Sequence, residues 1–170
     1  MKNRPAPEIY KLNAVELAKE LIGVMLCRDP GGEIIRLRIT ETEAYSGEED
    51  TACHASKGKT ERTKIMYEAG GHAYIYLCYG IHYLLNIVSG EKDSPQAVLI
   101  RGIEGYDGPG KLTKALKIDK LLNGENLINS EKLWLEDDAF RYKYTASERI
   151  GIDYATEEYR NKLWRFTADR

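Results

Sequence analysis

The chain has 170 residues, with 25 basic and 27 acidic side chains and a formal net charge of −2. This length fits one domain spanning residues 1–170, and the slight acidic balance by itself argues against a nucleic-acid-binding protein. The amino terminus leads into no apolar run, and the three cysteines match no zinc-ligand spacing. We therefore expect a cytoplasmic protein with reduced thiols, no membrane span and no metal.

A helix is predicted to begin after Asn13. Asn13 suits the N-cap, Glu16 completes a capping-box pattern, and Gly23 provides a natural end. Between them, apolar residues recur at helical spacing: Ala14, Leu17, Ala18, Leu21 and Ile22. The helix should therefore pack one face against a core.

Two strands are predicted next, at 24–28 and 33–45, joined by an Asp-Pro-Gly-Gly turn. Alternation along the second strand places one set of side chains on the first face: Leu37, Ile39, Glu41, Glu43 and Tyr45. The polar face then holds the residues between them: Arg36, Arg38, Thr40 and Thr42. A face that begins aliphatic and ends with carboxylates and a phenol either enters a cleft or emerges into water, and the alternation does not decide between the two.

The segment 46–71 is a long polar connection that carries a cluster of basic side chains: Lys57, Lys59, Arg62 and Lys64. Long connections in compact domains are often functional, so this loop is a candidate phosphate-binding patch. Lysines also recur along a helix predicted at 111–122, starting with Lys111. Such a stripe either faces phosphates or is an ordinary solvated helix face.

Further strands are predicted at 73–78, 83–89 and 97–104, with two short closing strands at 149–152 and 163–166. Short turns between consecutive strands favour antiparallel pairing. The pattern therefore predicts an α+β fold: a single mixed domain with a curved, mainly antiparallel β-sheet flanked by helices, and a protruding β-hairpin that carries tyrosines.

Tyrosine is used heavily, with 12 residues against two phenylalanines, and it concentrates in residues 74–80. Tyr74 and Tyr76 share one face of the predicted strand, and Tyr79 falls at the following turn. Each tyrosine singly fits a strand former that pairs across a sheet. As a group beside a carboxylate-bearing strand, they favour a stacking surface for a flat ligand.

These segments resemble the alkyladenine (3-methyladenine) DNA glycosylases over nearly the whole chain from about residue 8. The matching pieces occur in order, at 17–23, 41–45, 50–54, 71–80, 86–87, 98–101, 108–112 and 149–151. The combination of Glu-Thr-Glu-Ala-Tyr with a later Tyr-Xaa-Tyr-Xaa-Xaa-Tyr-Gly is specific. The resemblance implies base-excision repair on damaged double-stranded DNA by a monomer that needs no cofactor.

Carried over by position, the resemblance implies that Glu43 is the general base for the water that attacks the sugar C1′, with Arg101 holding the water and the carboxylate. The extruded purine would be bound by Tyr45, His54, Tyr76 and Asn86. Tyr79 would enter the duplex in place of the flipped nucleotide, because extrusion costs a few kcal/mol that an inserted ring partly offsets. The DNA backbone would be contacted by Lys59, Arg62, Lys64 and Lys111.

The chain departs from the family pattern at two positions. Only residues 102–107 lie between Arg101 and the Gly-Pro-Gly-Lys-Leu turn, where the family usually has an extra segment. Thr63 stands where the family commonly has asparagine. We expect the short connection to affect DNA affinity more than chemistry, and Thr63, which offers fewer hydrogen bonds than asparagine, to change the local loop geometry.

The predicted activity is that of a monofunctional purine DNA N-glycosylase, because the motif offers a base for water and no nearby lysine nucleophile. One alternative is a non-catalytic damaged-DNA binding module, and Glu43 argues against it because a carboxylate repels phosphates. A second is a hydrolase of free nucleosides. Tyr79 argues against that one, because a free nucleoside leaves no gap to fill.

Overall fold

The computed structural model describes residues 2–170, which form nine strands and three α-helices. The strands are β1 Met25–Arg28, β2 Ile35–Ser46, β3 Ala73–Cys78, β4 His82–Ser89, β5 Gln96–Ile103, β6 Tyr106–Asp107, β7 Leu133–Glu136, β8 Tyr144–Ser147 and β9 Arg165–Ala168. The helices are α1 Ala14–Glu20, α2 Pro109–Ala115 and α3 Glu157–Arg160, and short 3₁₀ turns lie at Pro7–Lys11, His54–Lys57, Lys64–Tyr67 and Lys120–Leu122. Within this range, none of the helices has the length and apolar character needed to cross a bilayer.

The strands form one curled sheet in the order β3-β4-β5-β2-β1-β7. β6 adds to β5, and β9 joins the sheet beside β2 and carries β8. Every strand pair among the described residues is antiparallel. The predicted α+β class with a curved antiparallel sheet is therefore confirmed.

The long strand β2 is central, because its first half pairs with β1 and its second half pairs with β5 and β9. Its register against β5 shifts between Ile39 and Thr42, which marks a β-bulge. Gly102 on β5 allows the close approach at this point. A Cβ there would lie 2.9 Å from Thr40 Oγ1.

The bulge makes the predicted polar face of β2 wrong for Thr40 and Thr42, which are both buried. Thr42 Oγ1 donates a hydrogen bond of 2.9 Å to the carbonyl of Ala18 on α1. Strict alternation fails because the bulge inserts an unpaired residue, so Ile39 and Ala44 both reach the main core. Thr42 therefore packs against α1 instead of facing solvent.

Helix α1 forms as its sequence predicts. The Asn13 side chain accepts a hydrogen bond of 2.9 Å from the backbone N–H of Glu16. Its apolar stripe is fully buried: Ala14, Leu17, Ala18, Leu21 and Ile22. Each buried leucine or isoleucine contributes about 1.5–3 kcal/mol relative to exposure. Gly23 follows with a φ of 107°, and a Cβ there would lie 2.9 Å from the backbone of Arg141.

The carboxyl-terminal half differs from the predicted elements. The helix predicted at 111–122 ends at Ala115, because Lys117 takes a left-handed φ of 52°. Residues 149–152 form a loop instead of a strand, and the closing strand is β9 instead of 163–166. β7 was not predicted because its four residues are all buried and show no alternation.

β3 and β4 form a hairpin whose turn contains Tyr79 and Gly80, with φ values of 52° and 66°. The N–H of Ile81 donates to the carbonyl of Cys78 at 3.1 Å and closes the turn. Positive φ at both central residues matches the right-handed twist of the strands. This backbone leaves 92% of the Tyr79 surface exposed.

The shortened connection at 102–107 is a tight antiparallel turn. Gly102 pairs with Asp107, and Ile103 pairs with Tyr106. Helix α2 starts at once with Pro109 and packs against β4, where a Cβ on Gly110 would come within 2.7 Å of the His82 ring. The short connection therefore delivers the start of α2 directly to the base of the hairpin.

Candidate active site

A cavity of about 640 Å³ opens between the β3–β4 hairpin, the 46–71 connection, the start of α2 and the loop at 150–154. Its wall is largely aromatic and apolar, with a few polar groups: Tyr45, His54, Tyr74, Tyr76, Asn86, Arg101 and Tyr154. Such a concave surface suits a flat organic ligand fixed by a few polar contacts. Within residues 2–170, His, Cys, Asp and Glu side chains form no group of three that could hold a metal ion.

Glu43 is fully buried and is not among the side chains that line this cavity, but three of the residues that line it contact its carboxylate. Its Oε1 accepts a hydrogen bond of 2.8 Å from the Tyr45 hydroxyl and lies 3.5 Å from Arg101 Nη1. Its Oε2 accepts a hydrogen bond of 2.6 Å from the backbone N–H of Ile150. Tyr45, Arg101 and Ile150 all line the cavity, so the carboxylate is held by groups that also face the ligand space.

Burial raises the pKa of Glu43 above its usual value. The Arg101 charge, the Ile150 N–H and the Tyr45 hydroxyl oppose that rise, because each stabilises the anion. Burial and the neighbouring Glu43 raise the pKa of Tyr45 well above its usual value, so this phenol stays protonated at neutral pH and donates to the carboxylate. A carboxylate with a raised pKa is a stronger base than an exposed one, provided that it remains ionised.

Arg101 is oriented by the two glutamates of β2. Its Nε donates to Glu41 Oε1 at 3.1 Å, while its Nη1 faces Glu43 at 3.5 Å. Arg165 on β9 also donates to Glu41 Oε1, at 3.2 Å. Glu41 is therefore engaged by two arginines and holds Arg101 beside Glu43.

Three aromatic residues form a cluster in the cavity wall. The rings of His54 and Tyr76 meet edge to face with centroids 4.6 Å apart, and Tyr74 lies 5.5 Å from Tyr76. His54 Nδ1 is 2.9 Å from the Tyr74 hydroxyl. Burial, assisted by the charges of Arg62 and Lys57, lowers the pKa of His54 to about 4. The imidazole is therefore uncharged at neutral pH.

Asn86 and Tyr79 sit on the hairpin at two depths. Asn86 is buried on β4, lines the cavity and donates from Nδ2 to the Tyr74 carbonyl at 3.2 Å. Tyr79 lines the mouth and projects from the turn, flanked by the exposed apolar side chains of Leu77 and Ile81. The hairpin thus places a fixed amide inside the cavity and an apolar projection at its entrance.

The four basic residues predicted to contact DNA occupy different positions. Arg62 enters the cavity wall, with its guanidinium carbon 5.0 Å from the Tyr76 ring centroid. Lys111 lines the cavity from α2. Lys64 pairs with an acidic residue of its own loop at 2.8 Å, and the Lys59 ammonium lies 5.5 Å from a tyrosine ring centroid. The structure therefore brings Arg62 and Lys111 to the cavity and leaves Lys59 and Lys64 on the surrounding loop.

Thr63 closes this basic loop. Its Oγ1 donates to the Gly58 carbonyl at 2.9 Å and accepts from the Thr60 N–H at 2.9 Å. The residue is buried. Threonine thus supplies the hydrogen bonds that hold this turn, with Arg62 next to it at the cavity.

Two buried charges beside the site have no predicted role. Arg149 Nη1 lies 2.6 Å from Asp50 Oδ2, and neither side chain is exposed to solvent. No local spacing links them, because 99 positions separate them in the chain. Both lie in segments that carry the family resemblance, which is the sequence signal that points to them. Tyr154 is also missed by sequence reasoning. It lines the cavity, and its hydroxyl donates to the Ala52 carbonyl at 2.8 Å.

The family model described as methylpurine-DNA glycosylase matches residues 8–107 and 104–170. Several relatives carry the provisional name 3-methyladenine DNA glycosylase. The protein of Natranaerobius thermophilus is 43% identical over 183 residues, covering 94% of this chain and 92% of the relative. That of Borrelia garinii subsp. bavariensis is 45% identical over 167 residues, covering 91% and 90%. That of Psychrobacter cryohalolentis is 47% identical over 169 residues, covering 82% and 80%.

The two stretches matched by the family model overlap at the tight β5–β6 turn. Together they contain every element that builds the cavity, from β2 through the hairpin to the loop at 149–154. The resemblance seen in the sequence is confirmed. The chain belongs to the methylpurine-DNA glycosylase family.

Proposed function

We propose that this protein acts in base-excision repair by flipping an alkylated or deaminated purine out of duplex DNA and hydrolysing its N-glycosidic bond with a water activated by Glu43. The observation that carries the proposal is the buried Glu43 carboxylate, which is held by three residues that line the aromatic cavity, Tyr45, Arg101 and Ile150. Hydrolysis of the N-glycosidic bond of an extruded nucleotide needs both a pocket that stacks on the purine and a general base beside it. Family membership supports the same reaction class.

In the proposed reaction the bond between C1′ and the purine nitrogen breaks, and its electron pair leaves with the purine. Water adds to the electron-deficient C1′ and transfers a proton to Glu43, which leaves an abasic sugar. A cationic alkylpurine leaves as the neutral base, whereas a neutral purine leaves as an anion that takes a proton from solvent, and Glu43 later returns its proton to solvent. General-base assistance of this kind contributes about 10²–10⁴-fold. The Tyr45 hydroxyl gives up its place on Glu43 Oε1 to the water, since hydrogen bonds in unliganded sites often differ from those in the reacting complex. Because water is the nucleophile, the proposed reaction forms no lysine adduct and has no lyase step that cleaves the DNA strand.

Tyr45, His54 and Tyr76 serve as the purine-binding walls in this proposal. Electron-rich tyrosine faces favour electron-poor or cationic alkylpurines, and the uncharged His54 adds no repulsion. Arg62 now lies over Tyr76 and would repel a cationic purine, so we expect its guanidinium to move to a DNA phosphate on binding. Asn86, fixed by its bond to β3, would crowd the exocyclic amine of guanine.

Tyr79 is the proposed wedge that fills the space of the flipped nucleotide. Its side chain is 92% exposed at the mouth of the cavity. A non-glycine residue at a φ of 52° costs about 1–2 kcal/mol relative to an unstrained backbone. Strain of this kind persists where function requires it, which supports the assignment. Arg62 and Lys111 at the cavity, with Lys59 and Lys64 farther out, would contact the flanking phosphates.

The proposal is tested by incubating the protein with duplex oligonucleotides that contain hypoxanthine, ethenoadenine or a methylated purine, with and without EDTA. We expect release of the free base and an abasic site, without strand cleavage by the protein, in both conditions. Lesion binding without release of any base would instead identify a damaged-DNA binding module. Release from free nucleosides at the rate seen in duplexes would contradict the wedge role of Tyr79.

A further inference from the structure

The Ile150 N–H that holds Glu43 belongs to a loop whose later part is anchored by the buried Ile152 and by the Tyr154 hydrogen bond to Ala52. Residues 148–154 form no helix or strand, and the Ile150 side chain is 48% exposed. A backbone donor in such a loop keeps a bond of 2.6 Å only if something fixes the backbone beside it. On the other side of Ile150, the neighbouring residue Arg149 has a fully buried side chain.

The Arg149 guanidinium joins three other segments to the loop. Nη1 donates to Asp50 Oδ2 at 2.6 Å and to the Ala44 carbonyl at 3.0 Å, and Nη2 donates to Asp50 Oδ1 at 3.0 Å and to the Tyr159 carbonyl at 3.0 Å. Ala44 directly follows Glu43 in β2. One side chain therefore ties the strand that carries Glu43 to the loop that supplies its Ile150 donor.

Asp50 is in turn fixed by its own backbone neighbours. Its Oδ2 accepts from the Ser46 N–H at 3.0 Å, and its Oδ1 accepts from the Ala52 N–H at 3.1 Å. The guanidinium it holds is stacked between two rings, 4.9 Å from the Tyr45 centroid and 5.0 Å from that of Trp164. The contacts fix Nη1, Nη2 and both faces of the guanidinium, while Nε is buried without a hydrogen-bond partner among the described residues.

Stability alone gives no reason for this arrangement. Taking two charges fully out of water costs so much that a buried pair is often no better than apolar residues of similar size. A bidentate arginine fork does supply orientation, which neither an apolar side chain nor lysine can. Here the Asp50–Arg149 pair fixes the position of the backbone at the next residue, Ile150.

We propose that Asp50 and Arg149 are positioning residues that hold the Ile150 N–H on Glu43 Oε2 and so keep the catalytic carboxylate anionic and aimed. This inference rests on the proposed function of Glu43. The charged and titratable groups that surround Glu43 are drawn from several elements: Glu41 and Tyr45 on β2, Arg101 on β5, Arg165 on β9, and Asp50 and Arg149 from loops. Among these, the Asp50–Arg149 pair controls the backbone that carries the Ile150 donor.

The test replaces Arg149 with lysine, which keeps the charge and removes the fork. Single-turnover excision with enzyme in excess is measured against pH, together with the dissociation constant for lesion-containing duplex. We expect Arg149→Lys to lower the rate about 100-fold, as small misplacements of a reacting group do, while lesion binding is retained. The acidic limb of the rate should move to higher pH, because a weakened Ile150 donor no longer lowers the pKa of Glu43. The matched control is Arg36→Lys, at the Arg36–Glu136 pair on the far edge of the sheet, and we expect it to change neither quantity.

A second pair of variants keeps the test independent of the ion pair and of its effect on folding. Ile150→Pro removes the N–H and leaves Asp50 and Arg149 in place, and Ile150→Ala trims the side chain but keeps the N–H and sets the reference. We expect Ile150→Pro to excise more slowly than Ile150→Ala, with its acidic limb at higher pH. The inference would be overturned if Ile150→Pro and Ile150→Ala had the same excision rate and the same acidic limb in the pH profile. It would also be overturned by a folded Arg149→Lys variant whose excision rate and acidic limb match those of the parent protein. If the parent protein released no base, or Glu43→Gln excised normally, the proposed function would fail instead.

Discussion

Two arginine–carboxylate pairs, one on the sheet near the edge strand β7 and one in the loops beside the cavity, differ in how deeply they are buried. At the far edge, Arg36 on β2 and Glu136 on β7 meet at 3.0 Å with side chains 41% and 9% exposed. Beside the cavity, Arg149 and Asp50 meet at 2.6 Å with neither side chain exposed. Glu43 is equally buried there. Water solvates part of the first pair, whereas the second must be satisfied entirely by protein groups.

The two pairs therefore differ in how far the fold removes their charges from water. A half-exposed pair adds little and costs little. Fully buried charges are tolerated next to the cavity because every oxygen of Asp50 and Glu43 has a donor. These enclosed charges lie where the proposed mechanism requires an anion beside the ligand space.

The sharpest way to break the comparison is to remove one charge from each pair. Asp50→Asn leaves Arg149 buried without its counter-charge, so we expect the free energy of unfolding to fall by about 3–5 kcal/mol. Glu136→Gln should cause a smaller loss, because Arg36 can turn to solvent. Urea denaturation measures both. Equal losses at the two sites would show that burial does not set the importance of these pairs.

Tyr79 offers a second contrast, between stability and activity in one residue. Tyr79→Gly relieves the left-handed backbone and should raise the free energy of unfolding by about 1 kcal/mol. The same change removes the stacking ring, and stacking contributes about 1–3 kcal/mol, so excision from duplex DNA should fall about tenfold or more. Thermal unfolding and single-turnover excision are compared. A variant that is more stable and equally active would contradict the wedge.

A third comparison is between Lys111, which lines the cavity, and a lysine beside the edge strand β7. Each phosphate contact contributes about one unit to the slope of log binding constant against log salt. Lys111→Ala should therefore lower the magnitude of that slope by about 1 for lesion duplex. Lys132→Ala, an exposed lysine beside β7, is the control and should leave it unchanged. The opposite ranking of the two variants would move the DNA-binding face away from the cavity.

The smallest effect is expected for Tyr45→Phe. This change keeps the ring and removes the hydroxyl that donates to Glu43 Oε1. That hydroxyl lowers the pKa of Glu43, so its loss should raise the pKa further and reduce the ionised fraction at acidic pH. The acidic limb of kcat/KM, which reports the free enzyme in which this hydrogen bond is present, should then move to higher pH, with little change on the alkaline side. A limb that moves to lower pH would show that the phenol opposes the base.

The parts of the molecule predicted from the sequence are those that local patterns encode. The cap at Asn13 and the stripe of α1 follow from helical spacing, and the hairpin follows from alternation around Tyr79 and Gly80. The residues that line the cavity follow from the family resemblance. Arg101, His54, Tyr76 and Asn86 do converge there with Tyr45.

What could not be predicted depends on contacts between distant segments. The bulge in β2 requires a glycine at position 102 on β5, because a Cβ there would come too close to Thr40. Regular alternation predicts that Thr42 is exposed, but the bulged strand buries it against α1. Arg149 was predicted within a strand, yet its partner Asp50 lies 99 positions away, and the loop is shaped by that pair. Strand β7 is buried on both faces and has no period to detect.

The most direct test of the account is Glu43→Gln, which keeps the shape of the side chain and removes its basicity. The parent and the variant are compared in lesion-duplex binding and in single-turnover release of the free base. The account predicts unchanged binding and a loss of excision of about 10²–10⁴-fold. Release of the base by Glu43→Gln at the parent rate would contradict it.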